Sequence, residues 1–187
     1  MTQRQALEIV SEHRGERMVI TTMSSCAIWP QLSDSPLDFH FIPSAMGHGP
    51  DLGLGLALAQ PERGVIVLNG DGCMLMNLGV LVTLAQQPAN VFLVILDNGL
   101  YEVTGGQPTA GAGRTDFGGL ARATGIKRVY RFDDLETWRA GAAEAFRGAG
   151  PVVIWLRVEA RYGQKTPKQP RPMAEQIANL QKALGVS

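Results

Sequence analysis

"VIVLNGDGCMLMNLGVLVTLAQQPANVFLVILDNG", residues 65–99, decides how this chain folds. Two apolar runs, Val65 to Leu68 and Val91 to Leu96, lack the polar alternation of a half-exposed strand. Such runs are typical of strands buried on both faces of a parallel sheet. Between them, Leu75 to Gln86 has helical spacing and is stopped by Pro88, so the stretch reads as strand, helix, strand. Each strand ends in small polar residues among glycines: Asn69-Gly70-Asp71-Gly72 and Asp97-Asn98-Gly99. Either segment alone is an ordinary turn signal. Two of them at the same edge of a parallel sheet can also form one site.

Outward from this unit the same alternation continues. Thr2 to His13 has helical spacing, Met18 to Thr22 reads as a strand, and Phe39 to Ile42 as a short strand in a loop marked by Pro30, Pro36 and Pro43. From Gly47 a helix of small residues runs to Pro61. Beyond a Gly-rich loop, residues 99–113, Asp116 caps a helix to Thr124 with Gly125 as its stop. Lys127 to Arg131 and Pro151 to Val158 read as strands, Asp133 to Arg147 and Met173 to Leu184 as helices. The expected fold is α/β: a doubly wound, mainly parallel sheet with helices on both faces, in one domain over 1–187. Residues 161–172, rich in Lys, Arg and Pro, are expected to form an exposed arm before the last helix.

Composition narrows the function classes. Across 187 residues, 17 Lys and Arg balance 17 Asp and Glu, which gives no basic footprint for nucleic acid or a membrane surface. No apolar run reaches membrane-spanning length, and the N-terminal segment has no secretory h-region. Cys26 and Cys73 are too far apart for metal-ligand spacing and are expected to be reduced thiols in a cytoplasmic protein.

In doubly wound sheets ligands bind beyond the carboxyl ends of the strands. The motifs at Asp71, Asn98 and Met23 to Cys26 all follow strands and share that edge. A carboxylate between glycines lets a ligand approach the backbone, and Gly72 opens a helix whose N–H groups suit phosphate. Asp71 suits Mg²⁺, a hard cation that binds oxygen and bridges protein to phosphates. Asn98 can add an amide oxygen and a following carbonyl a third ligand. With no Lys or Arg in either motif, metal and helix terminus would supply the positive field. Gly53-Leu54-Gly55 begins like a dinucleotide fingerprint but lacks the third glycine and lies within a helix pattern, so it reads as a packing feature.

"SAMGHG" (44–49), "NGDGCMLMNLG" (69–79) and "DNGLYEVTGGQPT" (97–109) together resemble the diphosphate-binding module of thiamine diphosphate-dependent 2-oxoacid decarboxylases, most of all the sulfopyruvate decarboxylase β subunit and phosphonopyruvate decarboxylase. By motif the resemblance runs from Met18 to Thr109. It implies Mg²⁺ held by Asp71, the Asn98 side chain and the Leu100 carbonyl, and diphosphate held by the N–H groups of Gly72 and Cys73. The family often has Ser or Ala where Cys73 stands. Met46 would be the apolar wedge under the cofactor and the Ser44 carbonyl would accept from its aminopyrimidine, with Gly47, Gly70 and Tyr101 completing the cofactor wall. Met23 to Ser25 would line the diphosphate end. His48 and Glu102 are candidate catalytic residues, each also readable as structural. Thr104 and Gln107 would meet substrate if the Gly105-Gly106 hinge folds inward.

The family's activating glutamate belongs to a separate pyrimidine-binding module. Glu8, Glu12, Glu16, Glu136 and Glu144 all fall on polar faces here, so that residue is expected from a pyrimidine-binding α-type subunit, in a hetero-oligomer with at least two copies of each chain. The substrate would be a small anionic 2-oxoacid. An acetolactate synthase-like carboligase, a non-catalytic regulatory subunit and an unrelated binding domain remain open alternatives.

Overall fold

The computed structural model describes residues 1–41, 46–87, 89–165 and 167–186. Eight strands follow in chain order: β1 Met18–Thr21, β2 Asp38–His40, β3 Val65–Gly70, β4 Val91–Asp97, β5 Leu100–Tyr101, β6 Gln107–Pro108, β7 Arg128–Phe132 and β8 Val152–Arg157. Six form one all-parallel sheet ordered β2-β1-β3-β4-β8-β7, while β5 and β6 pair as a small antiparallel hairpin. The helices are α1 Gln3–His13, α2 Ser25–Ile28, α3 Gly49–Ala59, α4 Asp71–Met76, α5 Val80–Gln86, α6 Phe117–Ala123, α7 Leu135–Ala145 and α8 Met173–Leu184. This is the doubly wound architecture that the apolar runs imply. Among the described residues no helix is long and apolar enough to cross a membrane.

Successive side chains of a strand point to opposite faces, so each central strand feeds two cores. Val65 and Val67 of β3 with Leu93 and Ile95 of β4 pack under α3, α5, α6 and α8. Ile66, Leu68, Phe92, Val94 and Leu96 pack against α1, α7 and Trp29 on the other face. The Trp138 indole N–H donates to the Ala6 carbonyl at 3.1 Å and ties α7 to α1. Caps fix the helix starts: Thr2 and Gln5 form a reciprocal capping box on α1. Asp116 accepts from the Gly119 N–H and Asp134 from the Thr137 N–H. The β2 edge is covered as well, since the His40 N–H donates to Gln176 Oε1 of α8 at 2.7 Å.

Three local readings change. The single helix expected over 75–86 is two, because α4 starts at once on Asp71 and ends at Asn77. The Asn77 amide donates to Asp51 Oδ2 at 2.8 Å and to the Gly47 carbonyl at 3.1 Å, a side-chain competition that favours a break over a continuous helix. The Gly-rich loop contains the β5–β6 hairpin, closed by the Thr109 N–H to the Gly99 carbonyl at 2.9 Å. The segment after β1 winds into α2 and a 3₁₀ turn over Trp29–Gln31.

The Gly53-Leu54-Gly55 pair divides. A Cβ on Gly53 would lie 2.4 Å from Val67 Cγ2, so α3 sits on β3 too closely for any side chain there, whereas Gly55 faces open space. Gly53→Ala is therefore expected to destabilise the chain by about 1–3 kcal/mol through overpacking. Gly55→Ala should be neutral or stabilise by up to about 1 kcal/mol through helix propensity. Urea unfolding of both variants checks the contrast.

Candidate functional site

From β1 the chain crosses to β2 on one side and later to β3 on the other, so the winding reverses between β1 and β3. At such a reversal the loops leaving two adjacent strands part and open a crevice. Met23 and Ser24 follow β1 and form one wall of that crevice, while Gly70, Asp71, Gly72 and Cys73 form the next. Leu96, Asn98, Leu100, Tyr101, Glu102, Val103 and Thr104 close it from β4 and β5, and Met46 stands at its mouth, 41% exposed. Met23 has φ 46°, a left-handed conformation unfavourable for a residue with a side chain.

The β3–β4 register sets Gly70 opposite Leu96, which brings Asp71 beside Asp97 one residue further on. Both carboxylates are buried. Asp97 has a counterion: its Oδ2 accepts from Arg157 Nη1 and from the Trp155 indole N–H, each at 2.9 Å. Among the described residues Asp71 has hydrogen bonds only from neutral groups, the Thr109 hydroxyl at 2.9 Å and the N–H groups of Asn98 and Gly72. Burial first, then the Asp97 charge, pushes the Asp71 carboxyl up to about 6.

Asn98 turns its side chain back on its own loop, where Oδ1 accepts from the Leu100 N–H at 2.8 Å. An amide oxygen has two lone pairs, so one stays free for a cation. Across the cleft the Tyr101 ring covers Gly72 so closely that a Cβ there would lie 2.7 Å from Tyr101 Cδ1. Gly70 has open space beside it, which leaves the backbone approachable. Burial pushes the Cys73 thiol up, which keeps it protonated, so its contribution to a ligand is its backbone.

Glu102 is 4% exposed. Its Oε1 accepts from the Arg161 backbone N–H at 2.9 Å, and its Oε2 is buried with no hydrogen-bond partner among the described residues. Thr104 already lines the cleft, whereas Gln107 is exposed on the hairpin. Among the described residues, the lining holds no Lys, Arg or His.

Thus Met46, Gly70, Asp71, Gly72, Cys73, Asn98, Leu100, Tyr101 and Glu102 come together. Two others lie apart. His48 is on the surface at the start of α3, where Nδ1 is 3.1 Å from Asp51 Oδ2. Gly47 packs behind the wall against Asn77, Met76 and Cys73. Ser44 lies outside the described residues. Sequence reading missed Asp97, Thr109 and the Arg161 contact. The strand register could have found Asp97; the other two depend on loop folding.

Among the described residues no three His, Cys, Asp or Glu side chains cluster as a metal centre. A cation held by one carboxylate, one amide oxygen and one carbonyl therefore needs oxygens from a ligand as well. Because the folded Asp71 pKa lies above the ordinary 3.8, its stabilising effect is present at low pH and lost as pH rises through about 6. Asp71→Asn is thus expected to raise the melting temperature of the metal-free chain at neutral pH, with a gain that shrinks below about pH 6. Mg²⁺ with inorganic pyrophosphate should stabilise only the wild-type chain. Calorimetry with and without a chelator measures both effects.

The family described as "Thiamine pyrophosphate enzyme, C-terminal TPP binding domain" matches residues 23–156. The chain is 46% identical over 129 residues to the sulfopyruvate decarboxylase subunit beta of Methanothermobacter thermautotrophicus, covering 68% of this chain and 65% of the relative. It is 36% identical over 146 residues to the phosphonopyruvate decarboxylase of Streptomyces viridochromogenes, covering 78% of this chain and 36% of the relative. The chain therefore spans under two thirds of the first and about a third of the second. Its fold superposes on benzoylformate decarboxylase from Polynucleobacter necessarius with a TM-score of 0.70 at 20% identity, over 87% of this chain and 34% of that one. The chain belongs to the thiamine pyrophosphate enzymes, as a C-terminal TPP-binding domain.

Proposed function

We propose that this chain is the diphosphate-binding, β-type subunit of a thiamine diphosphate- and Mg²⁺-dependent 2-oxoacid decarboxylase. Its substrate would be a small acid that carries a second anionic group, as in sulfopyruvate or phosphonopyruvate. One observation carries the reading: Asp71 is a buried carboxylate without a counterion among the described residues, in a cleft that it shares with the Asn98 amide oxygen and the open backbone of Gly70. A divalent cation bound there would supply the missing charge, with phosphate oxygens as the further ligands that Asp71 and Asn98 leave it needing.

The residues present fit that group. Asp71, Asn98 Oδ1 and the Leu100 carbonyl would hold Mg²⁺, and the Cys73 N–H would meet the diphosphate, together with the Gly72 N–H once the cation draws Asp71 away from it. Met46 offers apolar support at the mouth, and Tyr101 shields the cation side from water by covering Gly72. The chemistry supplied by the bound cofactor is a carbanion nucleophile and an electron sink, with which a 2-oxoacid loses CO₂ and leaves as an aldehyde. The chain's share is to anchor, orient and exclude water.

Glu102 is the glutamate in the described wall, and it is already held by the Arg161 amide. We assign the activating glutamate to a separate pyrimidine-binding α-type subunit, a reading supported by the "subunit beta" in the relative's name. The assembly would be a cytoplasmic hetero-oligomer with at least two copies of each chain, and the free state of Cys26 and Cys73 suits a reducing compartment.

The test is to purify the chain with its pyrimidine-binding partner, add thiamine diphosphate and Mg²⁺, and measure CO₂ and aldehyde from 3-sulfopyruvate, phosphonopyruvate and pyruvate. CO₂ release that a chelator abolishes, and that Asp71→Ala lowers at least about 100-fold, is the expected result. Cofactor binding neither alone nor with the partner would sink the reading. Binding without turnover would indicate a regulatory subunit, and a two-substrate condensation product a carboligase.

A further inference from the structure

The cleft wall carries the carboxylates Asp71 and Glu102 and, among its described residues, no cation. A substrate with two negative charges meets an unfavourable field there even after Mg²⁺ has offset Asp71. A cation is, however, bonded to that wall from outside. The chain returning from β8 passes over the β5–β6 hairpin, and the Arg161 N–H donates to Glu102 Oε1 at 2.9 Å. One residue later the Tyr162 ring lies against Gly106, where a Cβ would be 3.6 Å from Tyr162 Cδ1. These two contacts fix the backbone of residue 161 on the cleft's outer wall.

The guanidinium of Arg161 is not spent on its anchor. Glu102 takes the backbone N–H, while Arg161 Nη2 donates to the neutral Gln164 Oε1 at 2.7 Å. Among the described residues Arg161 makes no ion pair, in contrast to Arg157 with Asp97 and Arg171 with Asp34. Its guanidinium is therefore in no ion pair among the described residues, its backbone is held at one point, and its planar fork suits a sulfonate or phosphonate.

We propose that Arg161, positioned by Glu102, reads the second negative charge of the substrate and so sets the preference for sulfonate- or phosphonate-bearing 2-oxoacids over uncharged ones. This rests on the decarboxylase reading above. Glu102 is then a positioning residue: it acts through Arg161 and touches no reacting atom. The same contact accounts for its burial, since one of its oxygens is used to seat the arm.

The test uses the assembled complex with thiamine diphosphate and Mg²⁺. The ratio of kcat/KM for 3-sulfopyruvate to that for pyruvate should fall at least about tenfold in Arg161→Gln and recover in part in Arg161→Lys, which restores charge without the fork. Calorimetry with sulfoacetate, a non-reacting sulfonate, should show at least about tenfold weaker binding to Arg161→Gln. Glu102→Ala should speed amide exchange at residues 161–164 and lower the same ratio, while Glu102→Gln, which keeps an acceptor oxygen, should change neither. A ratio within about twofold of wild type in Arg161→Gln, or sulfoacetate binding that ignores the substitution, overturns the proposal. If the wild-type complex releases CO₂ from neither acid, the decarboxylase reading fails, and sulfoacetate binding alone decides on Arg161.

Discussion

Two buried carboxylates at the ends of neighbouring strands, only one with a counterion, form the constraint on which this structure turns. The β3–β4 ladder brings Asp71 and Asp97 together, and nothing in the ladder itself can separate them. β8 resolves half of the conflict with Arg157 and Trp155. On the function proposed above, the other half is left to a cation entering the cleft, and that asymmetry would make a strand end a binding site. A buried charge without a counterion is costly, and a bound cation would turn that cost into affinity.

The fold was legible because its signal is local and repeated. Val65 to Leu68 and Val91 to Leu96 could be assigned to a parallel sheet from burial pattern alone, and the helices around them from their stops and caps. The nearness of Asp71 and Asn98 was legible because each directly follows such a strand, and strands of one parallel sheet end on one edge. Less legible was everything decided by contacts distant in sequence. Asp97 looked like part of the Asp97-Asn98-Gly99 turn, although it is the last residue of β4 and its charge adds to the burial that raises Asp71. Thr109 reaches Asp71 only because the Gly-rich loop folds into a hairpin. Asn77 has high turn propensity in any context, but nothing in its neighbourhood shows that it will leave the helix for Asp51 and Gly47.

His48 and Glu102 show the same division from the other side. His48 adjoins the motif in sequence, yet an i,i+3 pairing with Asp51 directs its ring to the surface. Glu102 had equal claims as a solvated loop residue, and it is buried because an amide 59 residues away binds it. Proximity along the chain was a fair guide to the cleft lining at Gly70, Gly72 and Leu100. Side-chain roles depended on which distant segment arrived opposite.

The seating of Gln176 on β2 has a consequence for the life of the polypeptide. With one of its own side chains, α8 occupies a main-chain donor on the outermost strand of the sheet, a place where another strand could otherwise add. Were α8 to detach, by proteolysis in the segment before it or by late docking during folding, that border would become adhesive toward its own kind. The last helix is thus also a guard against aggregation, placed on the edge strand next to β1.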